Sequence, residues 1–258
     1  PRKVLNAISR QKGDNVNQSE FQNQNSNNPF AKVIAQVWAR YEELLKTSKS
    51  LDFDDLLLKT VELFKKNPDI LANFQERFKY LHVDEYQDTN VVQYELTNLL
   101  AQKDKNICVV GDMDQSIYGW RGADFTNLLH FEKDYPGAKI VLLEENYRST
   151  QTILNAANQV IEKNKNRHDK KLFTKNLEGA KIGLYTGMEE GDEAGFIAQK
   201  AKELIDEGIN PNEVAVLYRA NFQSRVLEEA CLQGDVPYQV LGTRFFERKE
   251  IKDIVAFI

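Results

Sequence analysis

From Tyr80 onward, short apolar runs alternate with longer amphipathic ones, and this constrains the fold more than any other feature. YLHVDE reads as a strand and TNVVQYELTNLLAQ as a helix. ICVVGD is a strand, and DFTNLLHFEKDY is a helix with Asp124 placed to cap it. KIVLLEE is a strand, and STQTILNAANQVIEKN is a helix with Ser149 at its cap. KIGLYTG and EVAVLYRA are further strands, and YQVLG is a last short one. Between them lie the helices DEAGFIAQKAKELIDE, stopped by Gly208, and NFQSRVLEEACLQ, followed by Gly234. Strands alternating with helices of about 10–15 residues imply βαβ units, an α/β fold and a mostly parallel sheet. The lysine-rich stretch 163–180 reads as the seam between two such units.

The first eighty residues follow another rule. NVNQSEFQNQNSNN (15–28) is dominated by Asn and Gln and reads as a mobile loop. In PFAKVIAQVWARYEELLKT, residues Phe30, Val33, Ile34, Val37, Trp38, Tyr41, Leu44 and Leu45 keep the 3-and-4 spacing of one helix face, so Trp38 belongs to a core. FDDLLLKTVELFKK is a second helical pattern, and a third leads up to Tyr80. The chain begins at Pro1 and ends in KEIKDIVAFI, an amphipathic helix cut in mid-pattern; both suggest a segment of a longer protein.

Composition excludes several classes. With 258 residues, 41% of them hydrophobic, the chain can bury the core of one large or two smaller domains. No run approaches the ~18 apolar residues of a membrane span, so no membrane partner is expected. A net charge of −5 argues against a polycation that coats nucleic acid, but not against a local basic groove. Cys108 and Cys231 sit in apolar runs and read as buried thiols of a reducing cytosol. His82, inside the first strand, reads as packed.

Ligands of open parallel sheets bind beyond the carboxyl ends of the strands. The first strand ends in Asp84-Glu85, where one carboxylate can hold Mg²⁺ and the other can activate a water for attack on a phosphate. Alone, such a pair is more often a solvated loop that caps the next helix. The second strand ends in GDMDQSIYGWRGAD, in which Gly111 and Asp112 open a turn. Gln115 can sense a phosphate or its attacking water. Tyr118, Trp120 and Arg121 suit single-stranded nucleic acid, because bases stack on aromatic rings and arginine takes phosphate. Core packing of Trp120 is the alternative, although this loop has no helix or strand periodicity. The third strand ends in EENYRST, where Tyr147 can stack on an adenine and Arg148 can reach a phosphate. None of the 13 glycines is followed by lysine, so the G-x-x-x-x-G-K-[ST] phosphate cradle is absent.

VDEYQDTN, GDMDQSIYGWRGAD and LLEENYRST, in this order, resemble motifs II, III and IV of the UvrD/PcrA/Rep group of superfamily 1 DNA helicases. SLDFDDLL, YRANFQSRVLEEA and RFFERKEIKDIVAFI extend the resemblance over nearly the whole chain; it is strongest to the PcrA type of Gram-positive bacteria. The resemblance implies RecA-like parallel sheets with flanking helices, in two partial domains. Residues 1–50 would end the helical 1B insertion, 51–145 would form part of domain 1A, and 146–258 part of domain 2A. It implies a bacterial, cytoplasmic ATP-dependent 3′-to-5′ helicase that uses ATP and Mg²⁺ and engages single-stranded DNA and single-strand/duplex junctions. Asp84 would coordinate Mg²⁺, with Glu85 beside it as the base that activates water. Gln115 would sense the γ-phosphate, Tyr147 stack on adenine and Arg148 contact the γ-phosphate, while Tyr118, Trp120 and Arg121 would lie on the strand.

In that family the phosphate cradle precedes the 1B insertion, and further motifs follow a 2B insertion. The resemblance therefore implies a central excerpt, with sheet edges short of neighbours and no ATPase of its own. Two other readings stay open: a non-catalytic single-stranded DNA-binding module, and a helicase-like subunit of a recombination nuclease.

Overall fold

The computed structural model describes residues 2–164, 170–241 and Lys252, which form two compact units, Pro1–Gly179 and Ala180–Ile258. The division falls at the end of the lysine-rich stretch; residues 165–169 of that stretch lie outside the described residues, as does the terminal KEIKDIVAFI run apart from Lys252.

The first unit opens with α1 (Arg2–Gly13), α2 (Gln18–Gln24) and α3 (Pro29–Thr47). Here the sequence expectation of a mobile loop over 15–28 is overturned. Asn17 accepts from the Glu20 amide, and the Glu20 carboxylate accepts from the Asn17 amide, a reciprocal cap that starts α2. One apolar residue, Phe21, then anchors it, buried at 7% exposure against the Trp38 ring, with centroids 6.1 Å apart. Trp38 is core, as its spacing predicts, at 3% exposure. The rest of the α3 stripe divides. Ala31, Ile34 and Ala35 join Trp38 inside, whereas Phe30, Val33, Val37 and Leu44 face out.

Lys12 pins these helices to α4 (Phe53–Lys66). Its buried ammonium lies 2.7 Å from Glu42, 2.8 Å from Asp52 and 3.0 Å from Asp55. The Tyr41 hydroxyl and the Trp38 indole N–H donate to Asp52 and Glu42, so the carboxylates are shared among further donors. Burial opposes the charge on Lys12, but the three carboxylates outweigh it and hold the lysine well above its ordinary pKa. Phe64 of α4 packs on Phe74 of α5 (Pro68–Arg77).

The expected first two strands form β1 (Leu81–Val83) and β2 (Ile107–Val109), paired in parallel and joined by α6 (Val91–Ala101). The pairing continues as Val110 donates to Val83 and Tyr86 donates to Val110, which sets the two strand ends side by side. One face of this ladder is open. His82 and Cys108 sit opposite each other on it, both exposed, so neither is packed as the sequence suggests. Cys231 is half-buried, and both thiols are unpaired.

Beyond this ladder the expected mostly parallel sheet does not form among the described residues. The run 139–145 meets a partner only at the Glu145–Phe173 bridge. Ile140 and Leu143 stay exposed, and the runs 181–187, 213–220 and 238–241 likewise join no ladder. A strand exists only with a neighbour to take its amides and carbonyls, and apolar spacing supplies none.

The helical expectations fare better, with corrected caps. α7 (Thr126–Asp134) is capped by Asp124 from two residues ahead, its carboxylate accepting from the Thr126 amide and hydroxyl. Ser149 does not cap α8 (Gln151–Ile161); its amide instead donates to Asn146. In the second unit, α9 (Glu190–Asp206) ends at Gly208, whose φ of 99° is the left-handed stop expected there. It packs on α10 (Ser224–Gln233) through Ala198, Ala201 and Ala230, and Val236, just past α10, joins the same cluster.

Candidate functional site

Asp84 and Glu85 follow β1 directly and are both exposed. Glu85 is left-handed, with φ 50° and ψ 42°, a strained conformation for a side chain of this size. Strain held in place at a strand end points to a functional position. The Asp84 carboxylate accepts from the Glu85 amide through Oδ1, leaving Oδ2 for a ligand. Glu85 Oε2 accepts from the Gln87 amide group at 2.7 Å, leaving Oε1. Two carboxylates with one oxygen each fit Mg²⁺, which takes one or two protein carboxylates and fills its shell with water and phosphate. Among the described residues no group of three or more potential ligands forms a protein-only metal cage.

Gln87, which residue spacing did not single out, is 1% exposed and bonds in both directions. Its Oε1 accepts from the Asp112 amide at 2.9 Å, at the start of the loop after β2. Gly111 makes room for this, since a Cβ there would stand 2.7 Å from Gln87 Oε1. Thr89 holds the far end of the same loop, accepting from the Asp124 amide and, at 2.9 Å, from the buried Asn127 side chain. Residues 112–124 are therefore tied at both feet to the segment that carries Glu85.

Within the loop, Gln115 donates to Asp112 at 2.8 Å and is itself exposed. Asp112 also pairs with Lys170. Burial raises the Asp112 carboxyl, but the Lys170 and Gln115 bonds outweigh it and leave the group below its ordinary pKa. Lys170 was not expected from the sequence, where it was one lysine among many. Trp120 is 67% exposed, which rejects core packing. Arg121 lies over it, 4.6 Å from the ring centroid and 5.5 Å from that of Tyr118.

Tyr147 and Arg148 are exposed at the end of the 139–145 run. The segment 170–176 straps this end in place. Phe173 exchanges bonds with Glu144 and Asn146, and Asn176 donates to the Tyr147 and Ser149 carbonyls. The Glu145 charge and hydrogen bond raise the Tyr147 phenol. The Arg148 guanidinium pairs with no carboxylate among the described residues. The geometry thus joins Asp84, Glu85, Asp112 and Gln115 and places Tyr118, Trp120 and Arg121 on the same loop, while the bonds at Tyr147 and Arg148 run to Glu145, Asn146 and Asn176.

A family model described as the UvrD/REP helicase N-terminal domain matches residues 1–136, and the UvrD-like helicase C-terminal domain matches 141–258. The chain belongs to the UvrD/REP helicase family. Among UvrD/REP relatives, an ATP-dependent DNA helicase PcrA of Leuconostoc citreum is 50% identical over 260 residues, covering 100% of this chain and 35% of that protein. The PcrA of Bacillus subtilis (strain 168) is 49% identical over 260 residues with the same coverage. That of Staphylococcus aureus (strain Mu50 / ATCC 700699) is 48% identical over 259 residues, covering 100% of this chain and 35% of that protein. The chain thus spans about a third of the length of these curated UvrD/REP relatives. Among the described residues no helix is long and apolar enough to cross a membrane.

Proposed function

We propose that this chain is the central part of an ATP-dependent DNA helicase that moves 3′ to 5′ on single-stranded DNA from single-strand/duplex junctions. One observation carries the reading: the loop bearing Gln115 and exposed Trp120 is tied at both ends to the segment bearing Glu85. A change at the phosphate would then reach the bases through a short, buried connection. The relatives named ATP-dependent DNA helicases support it.

In this reading residues 1–50 end domain 1B, 51–145 belong to 1A and 146–258 to 2A, in a bacterial, cytoplasmic enzyme. Asp84 and Glu85 would hold Mg²⁺ between them, directly or through water, and the ion would neutralise charge on the phosphate oxygens. Glu85 orients and deprotonates the attacking water. Gln115 bonds the γ-phosphate, and Arg148 contacts the same charge. Tyr147 offers an open ring face to adenine. Trp120 stacks on a base, and Arg121 takes the adjoining phosphate.

The absence of a G-x-x-x-x-G-K-[ST] segment favours a second reading, a non-catalytic single-stranded DNA-binding module. Single-strand-stimulated ATPase of the full-length protein carrying this chain separates the two. On the helicase reading the chain alone is inactive, and Glu85→Gln lowers turnover of the full-length protein by about 100- to 10,000-fold. Full turnover in E85Q would remove Glu85 as the base; absence of any ATPase from the full-length protein would leave the binding module.

A further inference from the structure

We propose that Gln87 is a positioning residue that sets the Glu85 carboxylate and locks its place to the start of the 112–124 loop. The inference rests on the proposed role of Glu85 as the water-activating base. The carboxamide is 1% exposed, and both its ends are used. Its NH₂ donates to Glu85 Oε2 at 2.7 Å, and its Oε1 accepts from the Asp112 amide at 2.9 Å. A carboxamide suits this place because it offers a donor and an acceptor on one rigid plane without depending on protonation state.

The packing allows little else. Gly111 leaves the gap that Oε1 fills, and the Ser116 hydroxyl donates to the Gln87 carbonyl at 3.4 Å. Glu85 is exposed and strained, so little besides Gln87 and its own backbone restricts its carboxylate. An exposed glutamate otherwise samples several rotamers, of which few reach a bound phosphate's water. Beyond Asp112 the connection continues to Gln115, whose amide donates to the Asp112 carboxylate. Gln87 is thus a buried side chain that touches the proposed base and the proposed phosphate sensor's anchor together.

The decisive variant is Gln87→Glu, which keeps the shape and the oxygen facing Asp112 but turns the donor facing Glu85 into a repelling oxygen. Gln87→Met keeps the volume and loses both bonds. In the full-length protein, single-strand-stimulated turnover should fall about 10- to 100-fold in Q87E with the KM for ATP within about twofold, as expected when a reacting group is misplaced and substrate binding is not. Affinity for a fluorescent ATP analogue should stay within about twofold, and amide exchange at Asp112 should remain slow in Q87E and quicken in Q87M. A structural role would instead lower the melting temperature and leave the turnover of the folded fraction unchanged.

Native turnover in a folded Q87E, or failure of both variants to fold, would overturn the inference. The control is Glu85→Gln. If E85Q is inactive while Q87E is native, Gln87 alone is misassigned. If E85Q retains turnover, the base assignment fails first.

Discussion

The two tryptophans of this chain have opposite fates. Trp38 lies on a 19-residue helix at 3% exposure, its indole N–H spent on Glu42. Trp120 lies in a single 3₁₀ turn between Gly119 and Gly122 at 67% exposure, with Tyr118 and Arg121 against it. The polar groups around them differ in the same way. Around Trp38 three carboxylates close on one buried ammonium, with the Trp38 indole and the Tyr41 hydroxyl as further donors. At the foot of the Trp120 loop, Asp84 and Glu85 each spend one oxygen and keep one. A network that closes on itself builds structure; one that stops short is available to a ligand.

That contrast can be broken at its strongest point first. Trp38→Ala should cost about 3–5 kcal/mol of stability in a urea titration and leave affinity for a single-stranded oligonucleotide unchanged. Lys12→Met should cost about 3–5 kcal/mol at neutral pH, because it strands the buried Asp55 carboxylate beside the half-buried Asp52. The same variant sharpens the comparison through pH. Burial raises the Asp52 carboxyl, but the Lys12 bond, the Asp55 amide and the Tyr41 hydroxyl outweigh it and hold the group below 3.8. A carboxyl depressed by folding adds stability that is present above 3.8 and lost as pH falls through the folded value. Wild type and K12M should therefore converge in stability on acidification toward that range. The smallest effect is reserved for Trp120→Ala, which should weaken single-stranded DNA binding by about 1–3 kcal/mol, read by fluorescence anisotropy, while shifting stability by less than about 0.5 kcal/mol. A W120A variant that unfolds early would place that ring in the core after all.

Residues in a regular period were legible from the sequence, because one face of a helix buries whatever recurs every three or four positions. Trp38, α6 and α9 follow from that alone. The 15–28 stretch was misread because composition averages over the single residue that matters: one phenylalanine and one reciprocal cap suffice for a short helix against an existing core. The runs 139–145 and 181–187 carry strand chemistry, yet a strand is a property of two segments, and apolar alternation names only one of them.

The strand-end chemistry was equally local. Carboxylates, a glutamine and an aromatic-arginine loop announce what they can bind by residue type, and the order of the three motifs announces the family. Burial of Gln87, the pairing of Lys170 with Asp112 and the two-footed attachment of the 112–124 loop were decided elsewhere. The Gln87–Asp112 bond follows from β1 and β2 pairing in one register, which brings residues 25 positions apart into hydrogen-bond range. Residue types declare which bonds are possible; only the folded chain, by excluding water from some of them, selects which are made.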